Sequence, residues 1–208
     1  MKLLVFSIRV LFLLLFTFLI FTGNMMVWLG LFVVSIVFSV FFGRIYCGYI
    51  CPMNTLMEPT EWLSKKLKIQ SVNVPKWLNS EKISFVVLIA SILSVILFKR
   101  IFFINIPILP ILLIISVVMT LRFKPDIFHN KICPFGLLQK LFGKHALFSK
   151  MVISDKCVGC KLCENACPSK AIEVSKVSKK AIINTAYCYQ CINCAVVCPK
   201  SAIVYRKK

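Results

Sequence analysis

The chain has 208 residues, of which 59% are hydrophobic and only 16% are charged, and its mean hydropathy is +0.87. These values exclude an ordinary soluble globular domain and predict a membrane protein. The chain carries 26 Lys and Arg against 7 Asp and Glu, a formal charge of +19. Most of the basic residues flank apolar segments, so we assign them to the positive-inside bias of membrane proteins and expect no nucleic-acid partner.

Two apolar segments near the N-terminus form a first predicted helix hairpin. Residues 3–21 are apolar apart from Ser7, Arg9 and Thr17, and residues 25–42 follow after a short turn. Each segment is long enough to cross a bilayer. The first is too long for the apolar region of a secretory signal, so we expect it to be retained as a span. Arg9 is expected to snorkel to the inner membrane surface rather than to bind a quinone or a lipid head group.

A second predicted hairpin follows a polar connection. The connection, residues 43–82, carries six basic residues, and part of it is expected to lie along the membrane surface as an amphipathic helix. Residues 83–98 form the third predicted span. The fourth covers residues 101–121 and begins at either Ile101 or Pro107.

The distribution of basic residues predicts the orientation of these spans. With the N-terminus inside, the outer loops carry only Lys99 and Arg100, whereas residues 43–82 carry six basic residues and residues 122–208 carry sixteen. The positive-inside rule therefore places both termini and all eleven cysteines on the cytoplasmic side of the cell membrane. Thiols stay reduced in that compartment, which favours metal binding over disulfide formation.

Two cysteine runs of identical spacing occupy the C-terminal region. Each reads C-x2-C-x2-C-x3-C-P, the bacterial ferredoxin pattern for [4Fe-4S] clusters, and the runs begin 31 residues apart at Cys157 and Cys188. In a two-cluster ferredoxin the fourth cysteine of each run serves the other cluster. The first set of ligands is therefore predicted to be Cys157, Cys160, Cys163 and Cys198, and the second set Cys188, Cys191, Cys194 and Cys167.

These patterns predict two domains. Residues 1–148 form a transmembrane domain of four α-helices arranged as two hairpins. Residues 149–208 form a cytoplasmic α+β ferredoxin domain with two [4Fe-4S] clusters. Because so short a domain has little apolar core, metal ligation is expected to supply much of its folding free energy.

The other three cysteines lie in two membrane-edge loops, residues 43–52 (the first loop) and 125–134 (the second loop). GRIYCGYICPMNTLM and PDIFHNKICPFGLLQ align Cys51 with Cys133, 82 residues apart, and place His129 opposite Cys47. This similarity predicts a duplicated unit. If the hairpins pack side by side, Cys47, Cys51, His129 and Cys133 form a composite metal site, a candidate third iron-sulfur centre. The alternative is that C-P ends a helix and that these cysteines are small buried apolar side chains.

Together, the loops and the cysteine runs resemble the NapH-type membrane ferredoxins, whose relatives include the NosR-type and CcoG-type iron-sulfur proteins. The resemblance covers nearly the whole chain, and YCGYICP is a specific signal at its position. Cys47 and Cys51 match the family's first loop, and Cys133 matches the second cysteine of its second loop. The chain departs from the family at His129, where the pattern has cysteine.

The resemblance implies an electron-transfer function. The chain would relay single electrons between a cytoplasmic carrier, such as an acidic ferredoxin or flavodoxin, and a membrane partner: a quinone, a flavoprotein or a reductase complex. It would thus be a subunit of an oxidoreductase system rather than a stand-alone enzyme. The CcoG-type resemblance implies an alternative, a metal-handling factor such as a copper reductase, since soft thiolates suit Cu(I). A third reading is a redox sensor or anchor.

Overall fold

The computed structural model describes residues 2–71, 74–75, 78, 80, 82–101 and 107–207. The chain divides into two units, one formed by Met1–Cys51 with Leu138–Lys208 and the other by Pro52–Leu137. The first unit combines the N-terminal hairpin with the C-terminal cysteine runs. The predicted domains 1–148 and 149–208 stay a prediction.

Among the described residues, three helices are long and apolar enough to cross a membrane. They are α1 (Lys2–Phe21), α2 (Met25–Phe42) and α4 (Lys82–Ile101). Helix α5 (Ile108–Arg122) is also apolar but has 15 residues. At 1.5 Å per residue it is about 22 Å long, shorter than the roughly 30 Å hydrocarbon core of a bilayer.

The boundary between the third and fourth predicted spans differs from the expectation. Lys99 and Arg100 form the last turn of α4 rather than a turn between helices, and Ile101 ends that helix. Basic side chains stabilise a helix C-terminus because they oppose the partial negative charge of its carbonyl groups. Helix α5 begins after Pro107. The predicted start at Ile101 depends on residues 102–106, which lie outside the described residues.

Aromatic side chains hold the α1–α2 hairpin together. The rings of Phe16 and Trp28, both fully buried, meet edge to face at 4.9 Å. Trp28 Nε1 donates a hydrogen bond of 2.9 Å to the hydroxyl of Tyr46, whose ring lies 5.1 Å from that of Phe32. Because Tyr46 belongs to the first loop, this packing fixes the loop against the hairpin.

Arg9 also contacts the first loop. Its side chain is only 6% exposed, and Nε donates a hydrogen bond of 2.8 Å to the carbonyl oxygen of Gly48. Arg9 thus reaches the membrane-edge loop, and its snorkelling to the membrane surface stays a prediction. A guanidinium group among apolar helices is costly unless its N–H groups are bonded, and the loop carbonyl supplies an acceptor within the protein.

The second unit is built from helices. Helix α3 (Pro52–Lys66) lies beside α5, and Ser64 Oγ donates to the carbonyl oxygen of Leu121 at 2.5 Å. Helix α3 confirms the helix predicted in the 43–82 connection, and its Trp62 and Leu63 are exposed. The short helix α6 (Pro125–Ile127) precedes the second loop's turn, and α7 (Pro134–Gly143) follows it.

The C-terminal region repeats one structural pattern twice. Its elements are β1 (Phe148–Val152), α8 (Leu162–Asn165), β2 (Ile172–Val174), β3 (Ala181–Ile183), α9 (Asn193–Val196) and β4 (Ile203–Lys207). Strand β1 pairs antiparallel with β4, and β2 with β3, so each two-stranded sheet combines one strand from each half. The 31-residue offset relates α8 to α9, as the sequence repeat predicts.

The core of this region is small. Ile172, Val174, Ala181 and Ile203 form a buried cluster with two of the cysteines, Cys163 and Cys194. Cysteine sulfur thus takes the place of apolar side chains in the core. This placement ties the stability of the fold to the state of its thiols.

Candidate iron-sulfur centres

The structure brings the first set of cysteines around one cavity. Cys157, Cys160, Cys163 and Cys198 all line it, whereas Cys167, the last cysteine of the first run, is not among its lining residues. Three of these cysteines precede or belong to α8, and the fourth follows α9 in the other half. The two halves of the repeat thus contribute to one site.

The second set of cysteines lies in a more enclosed environment. The pKa of Cys188 is raised to about 12, mostly by burial and in addition by the neighbouring thiols of Cys191, Cys167 and Cys194. The pKa of Cys194 is raised to about 12 by burial and by the same neighbours, Cys191 and Cys167. Cys167 therefore lies with the thiols of the second run. Because a raised pKa keeps a metal-free thiol protonated at neutral pH, iron must displace these protons on binding.

Backbone geometry prepares both sets to hold sulfur ligands. Backbone N–H groups point at three of the sulfur atoms: Ala181 to Cys157 at 3.4 Å, Ala171 to Cys167 at 3.3 Å and Ala202 to Cys198 at 3.3 Å. Such N–H···S bonds stabilise thiolates bound to a cluster and tune its potential. All four candidate ligands in each set are thiols, which fits an iron-sulfur cluster.

Glycine at position 159 is required by the first run's loop. Gly159 has a φ of +71°, and a Cβ atom there would collide with the carbonyl oxygen of Lys179. The equivalent position in the second run, 31 residues later, is Gln190, which adopts the same left-handed conformation with a φ of +56°. The left-handed conformation is less favourable for glutamine than for glycine.

The two sets differ in exposure. Cys160 of the first set is exposed, and exposed Lys156, Lys161 and Lys200 line the same cavity. In the second set, Cys188, Cys191 and Cys194 are all buried. The first set therefore faces solvent through a basic rim, whereas protein encloses most of the second.

The two membrane-edge loops share one backbone design. The first has a π-helical turn, Tyr46–Ile50, and the second has a π-helical turn, Phe128–Ile132. Cys51 and Cys133 end these turns with nearly identical backbone angles, φ −64° and ψ 118° against φ −63° and ψ 118°. In each loop the next residue is a proline that begins a helix. Single π turns are rare and are frequent at functional sites.

Cys47 and His129 occupy the same position of their turns, and both are buried, as are Cys51 and Cys133. In the described parts of the chain, no three His, Cys, Asp or Glu side chains are grouped as ligands of a single metal ion. The eight ferredoxin cysteines do not form such a group either, because each set of four would surround a cluster rather than one ion. The composite site of Cys47, Cys51, His129 and Cys133 stays a prediction.

The sequence patterns did not reveal Arg44. Its side chain is fully buried, and one guanidinium nitrogen, Nη2, lies 3.8 Å from the sulfur of Cys47. The other, Nη1, donates to the carbonyl oxygen of Ala186 at 3.3 Å. In the sequence Arg44 was one more basic residue flanking a span. One sequence feature pointed to the region that Arg44 contacts: the second run has Gln190 where the first run has Gly159.

Comparison with known proteins now assigns the family. Residues 24–70 and 105–152 both match one domain family, the "4Fe-4S binding domain", and residues 156–202 match the "4Fe-4S dicluster domain". An uncharacterized protein of Methanocaldococcus jannaschii is 30% identical over 178 residues, which span 83% of this chain and 68% of that protein. The ferredoxin-type protein NapH of Haemophilus influenzae is 22% identical over 192 residues, spanning 85% of this chain and 67% of NapH. The chain belongs to the NapH-type family of membrane 4Fe-4S ferredoxins.

Other comparisons agree with this assignment. The methylamine utilization ferredoxin-type protein MauN of Methylobacillus flagellatus is 26% identical over 169 residues, 73% of this chain and 58% of MauN. No solved structure matches the chain significantly. The double match of one domain family confirms the predicted duplication, since each matched segment of this NapH-type chain contains one membrane-edge loop. The dicluster match covers both cysteine runs.

Proposed function

We propose that this chain relays single electrons between a cytoplasmic carrier and a membrane partner. The observation that carries the proposal is the presence of two crossed sets of four thiols, one open to solvent and one enclosed. A [4Fe-4S] cluster in each set would supply one-electron chemistry. Irons that are fully ligated by thiolate leave no open position for a substrate, so the chain moves electrons instead of transforming a bound molecule.

The proposal includes a topology of four spans with both termini and every cysteine on the cytoplasmic side. Helix α5 would be the fourth span, because the bilayer can thin locally around a short apolar helix. The double family match supports α5 as a span, since each matched segment holds one loop and the apolar helix before it, α2 in the first and α5 in the second. The sixteen basic residues between 122 and 208 support the inside position of the C-terminal region.

Proteolysis of oriented vesicles tests this topology. In sealed vesicles with the cell's own orientation, we expect added protease to leave residues 149–207 intact, because they would face the enclosed compartment. In inverted vesicles the same residues should be cut, which mass spectrometry of the released peptides would detect. Release from the cell-oriented vesicles alone would contradict the proposed orientation.

The carrier is proposed to dock at the first set. Exposed Lys156, Lys161 and Lys200 line its cavity, and residues 150–208 as a whole carry eleven basic and three acidic residues. Two oxidised clusters, each ligated by four thiolates, would lower this charge by about four and leave the region basic. The opposite charge favours an acidic carrier, such as a ferredoxin or a flavodoxin.

Charge reversal at this rim should slow reduction by an acidic carrier. We expect the pair Lys161→Glu and Lys200→Glu to lower the second-order rate constant about tenfold at low ionic strength, with the difference shrinking as salt screens the charges. Stopped-flow absorbance provides the measurement. Lys176→Glu with Lys179→Glu is the matched control, since it changes charge equally on the same region but outside the cavity lining. Equal slowing by both pairs, or a rate indifferent to salt, would contradict docking at the first set.

The membrane-edge loops are proposed to add a third metal site, of three cysteines and one histidine, as a step toward a membrane quinone. The support is the shared π-turn geometry, which places a buried ligand residue at matching positions of each loop. His can replace Cys as a ligand of iron in a cluster.

Iron analysis tests the third site. Two cubane clusters contain eight irons, so we expect about ten to twelve irons per chain if a third cluster is present. The variant Cys47→Ala with Cys133→Ala should return the count to about eight. A count of eight in both proteins would contradict a third cluster. Copper in the unaltered protein that is lost from the variant would favour the metal-handling alternative instead.

A further inference from the structure

The first loop lies directly against the loop that carries Cys188 and Cys191. The guanidinium of Arg44 stands over the ring of Tyr189, 5.1 Å from its centroid, while donating to Ala186 and approaching Cys47. Ala186 and Tyr189 flank Cys188 on either side. A single buried cation therefore touches both the Cys47 sulfur and the backbone that presents the second set.

Backbone packing shows how close this contact is. A Cβ atom at Gly48 would collide with the carbonyl oxygen of Tyr189, and one at Gly43 would lie 2.7 Å from Gln190 Nε2. The hydroxyl of Tyr49 donates to the carbonyl oxygen of Gln190 at 3.2 Å. The first loop thus uses two glycines and a tyrosine to bring its backbone against the second run.

The left-handed Gln190 has its explanation in the same contact. Its Oε1 accepts a hydrogen bond of 2.9 Å from the backbone N–H of Lys150 in β1, and its side chain is 97% buried beneath Gly43. Gly159, its counterpart in the first run, could make neither contact. The second run is therefore specialised to receive the first loop, whereas the first run opens to solvent.

Electrostatics gives this contact a consequence for redox chemistry. A buried positive charge is costly unless negative charge compensates it. Reduction of a cluster adds one negative charge, so a nearby cation that is shielded from water favours the reduced form. The exposed lysines around the first set are screened by water and salt and have a weaker effect.

We propose that Arg44 is a positioning residue that holds the Cys47 loop against the second run and raises the reduction potential of the second cluster, which makes that cluster the membrane-side member of the relay. Electrons from the carrier enter at the exposed first set. A cluster held by the second set would take them up beside Cys47. The inference rests on the proposed electron-transfer function.

Potentiometric titration of the full-length protein followed by EPR tests the role of Arg44. In Arg44→Gln we expect the reduced-to-oxidised ratio of one cluster, at a fixed applied potential, to fall about tenfold, equivalent to a shift of about −59 mV for a one-electron couple. The other cluster should keep its potential, and Arg44→Lys should restore most of the difference. The shifted signal should be the one that Cys191→Ala removes and Cys160→Ala leaves in place. Arg122→Gln, which alters an arginine at the C-terminal end of α5, is the matched control.

A second pair of variants tests the contact without changing charge. Gly48→Ala forces the two loops apart and should alter the EPR line shape of the same cluster. At Gly30 an added Cβ meets nothing within 4 Å, so Gly30→Ala should alter the line shape of neither cluster. Loss of about four irons, with the first cluster's signal retained, would equally support the inference. If Arg44→Gln left both reduction potentials unchanged, or shifted the potentials of both clusters equally, the inference would be overturned. The proposed function itself fails separately, if an acidic carrier reduces neither cluster of the unaltered protein.

Discussion

Replacing Cys198 by alanine is expected to abolish the first cluster and to leave the second in place. Cys198 belongs to the second run in sequence, but it lines the cavity of Cys157, Cys160 and Cys163. Losing one of four thiolates removes a ligand that water replaces poorly, so the cluster should be lost. We expect the iron content to fall by about four per chain, as measured by elemental analysis.

The matching variant is Cys167→Ala, which should abolish the second cluster. The EPR spectrum of reduced Cys198→Ala should therefore resemble that of Cys160→Ala, and the spectrum of Cys167→Ala should resemble that of Cys191→Ala. Uncrossed ligation makes the reverse assignment, so the four spectra separate the two possibilities. Finding that Cys198→Ala behaves as Cys191→Ala does would contradict crossed ligation.

Removing iron should unfold the C-terminal region. Its buried cluster has few apolar side chains, and two of its members are cysteines, so ligation supplies much of the free energy that opposes unfolding. Crossed ligands also tie the two halves together. We expect chelation under reducing conditions to lower amide protection in β1 through β4 by at least about a thousandfold, equivalent to roughly 4 kcal/mol.

Hydrogen exchange followed by mass spectrometry makes this measurement segment by segment. Amides of α4 provide the internal control, because an apolar helix in a bilayer or a micelle satisfies its hydrogen bonds without iron. Readdition of iron and sulfide should restore protection in the strands. Strands that stay protected after complete iron loss would show that the small core folds on its own.

Features that depend on local patterns could be predicted from the sequence. The spacing of Cys157, Cys160 and Cys163 fits a cubane because three thiolates two residues apart reach one face of it. Apolar runs predicted α1 and α2 closely, since span length follows from bilayer thickness. Alignment of Cys51 with Cys133 revealed the duplication that the double family match confirms. In each case, neighbours along the chain carry the information.

Helix ends and polar contacts inside the membrane region were harder to predict. The end of α4 at Ile101 depends on how far the helix extends beyond its apolar core. The hydropathy of the sequence hardly determines this end. Arg9 was expected at the membrane surface because its depth permits snorkelling. Its partner, Gly48, lies 39 residues away, so no local pattern could indicate that the loop offers a carbonyl acceptor.

Residue chemistry alone thus predicted a membrane protein with two sets of candidate cluster ligands and a duplicated cysteine-proline loop. The role of Arg44 required the tertiary structure, because its contact with Ala186 joins positions 142 residues apart. The same is true of Gln190, whose strained backbone makes sense only once the first loop packs on it. Spacing and hydropathy determine which ligands a segment can offer. Long-range packing determines which loop lies beside which cluster, because that depends on the shapes of surfaces distant in the chain.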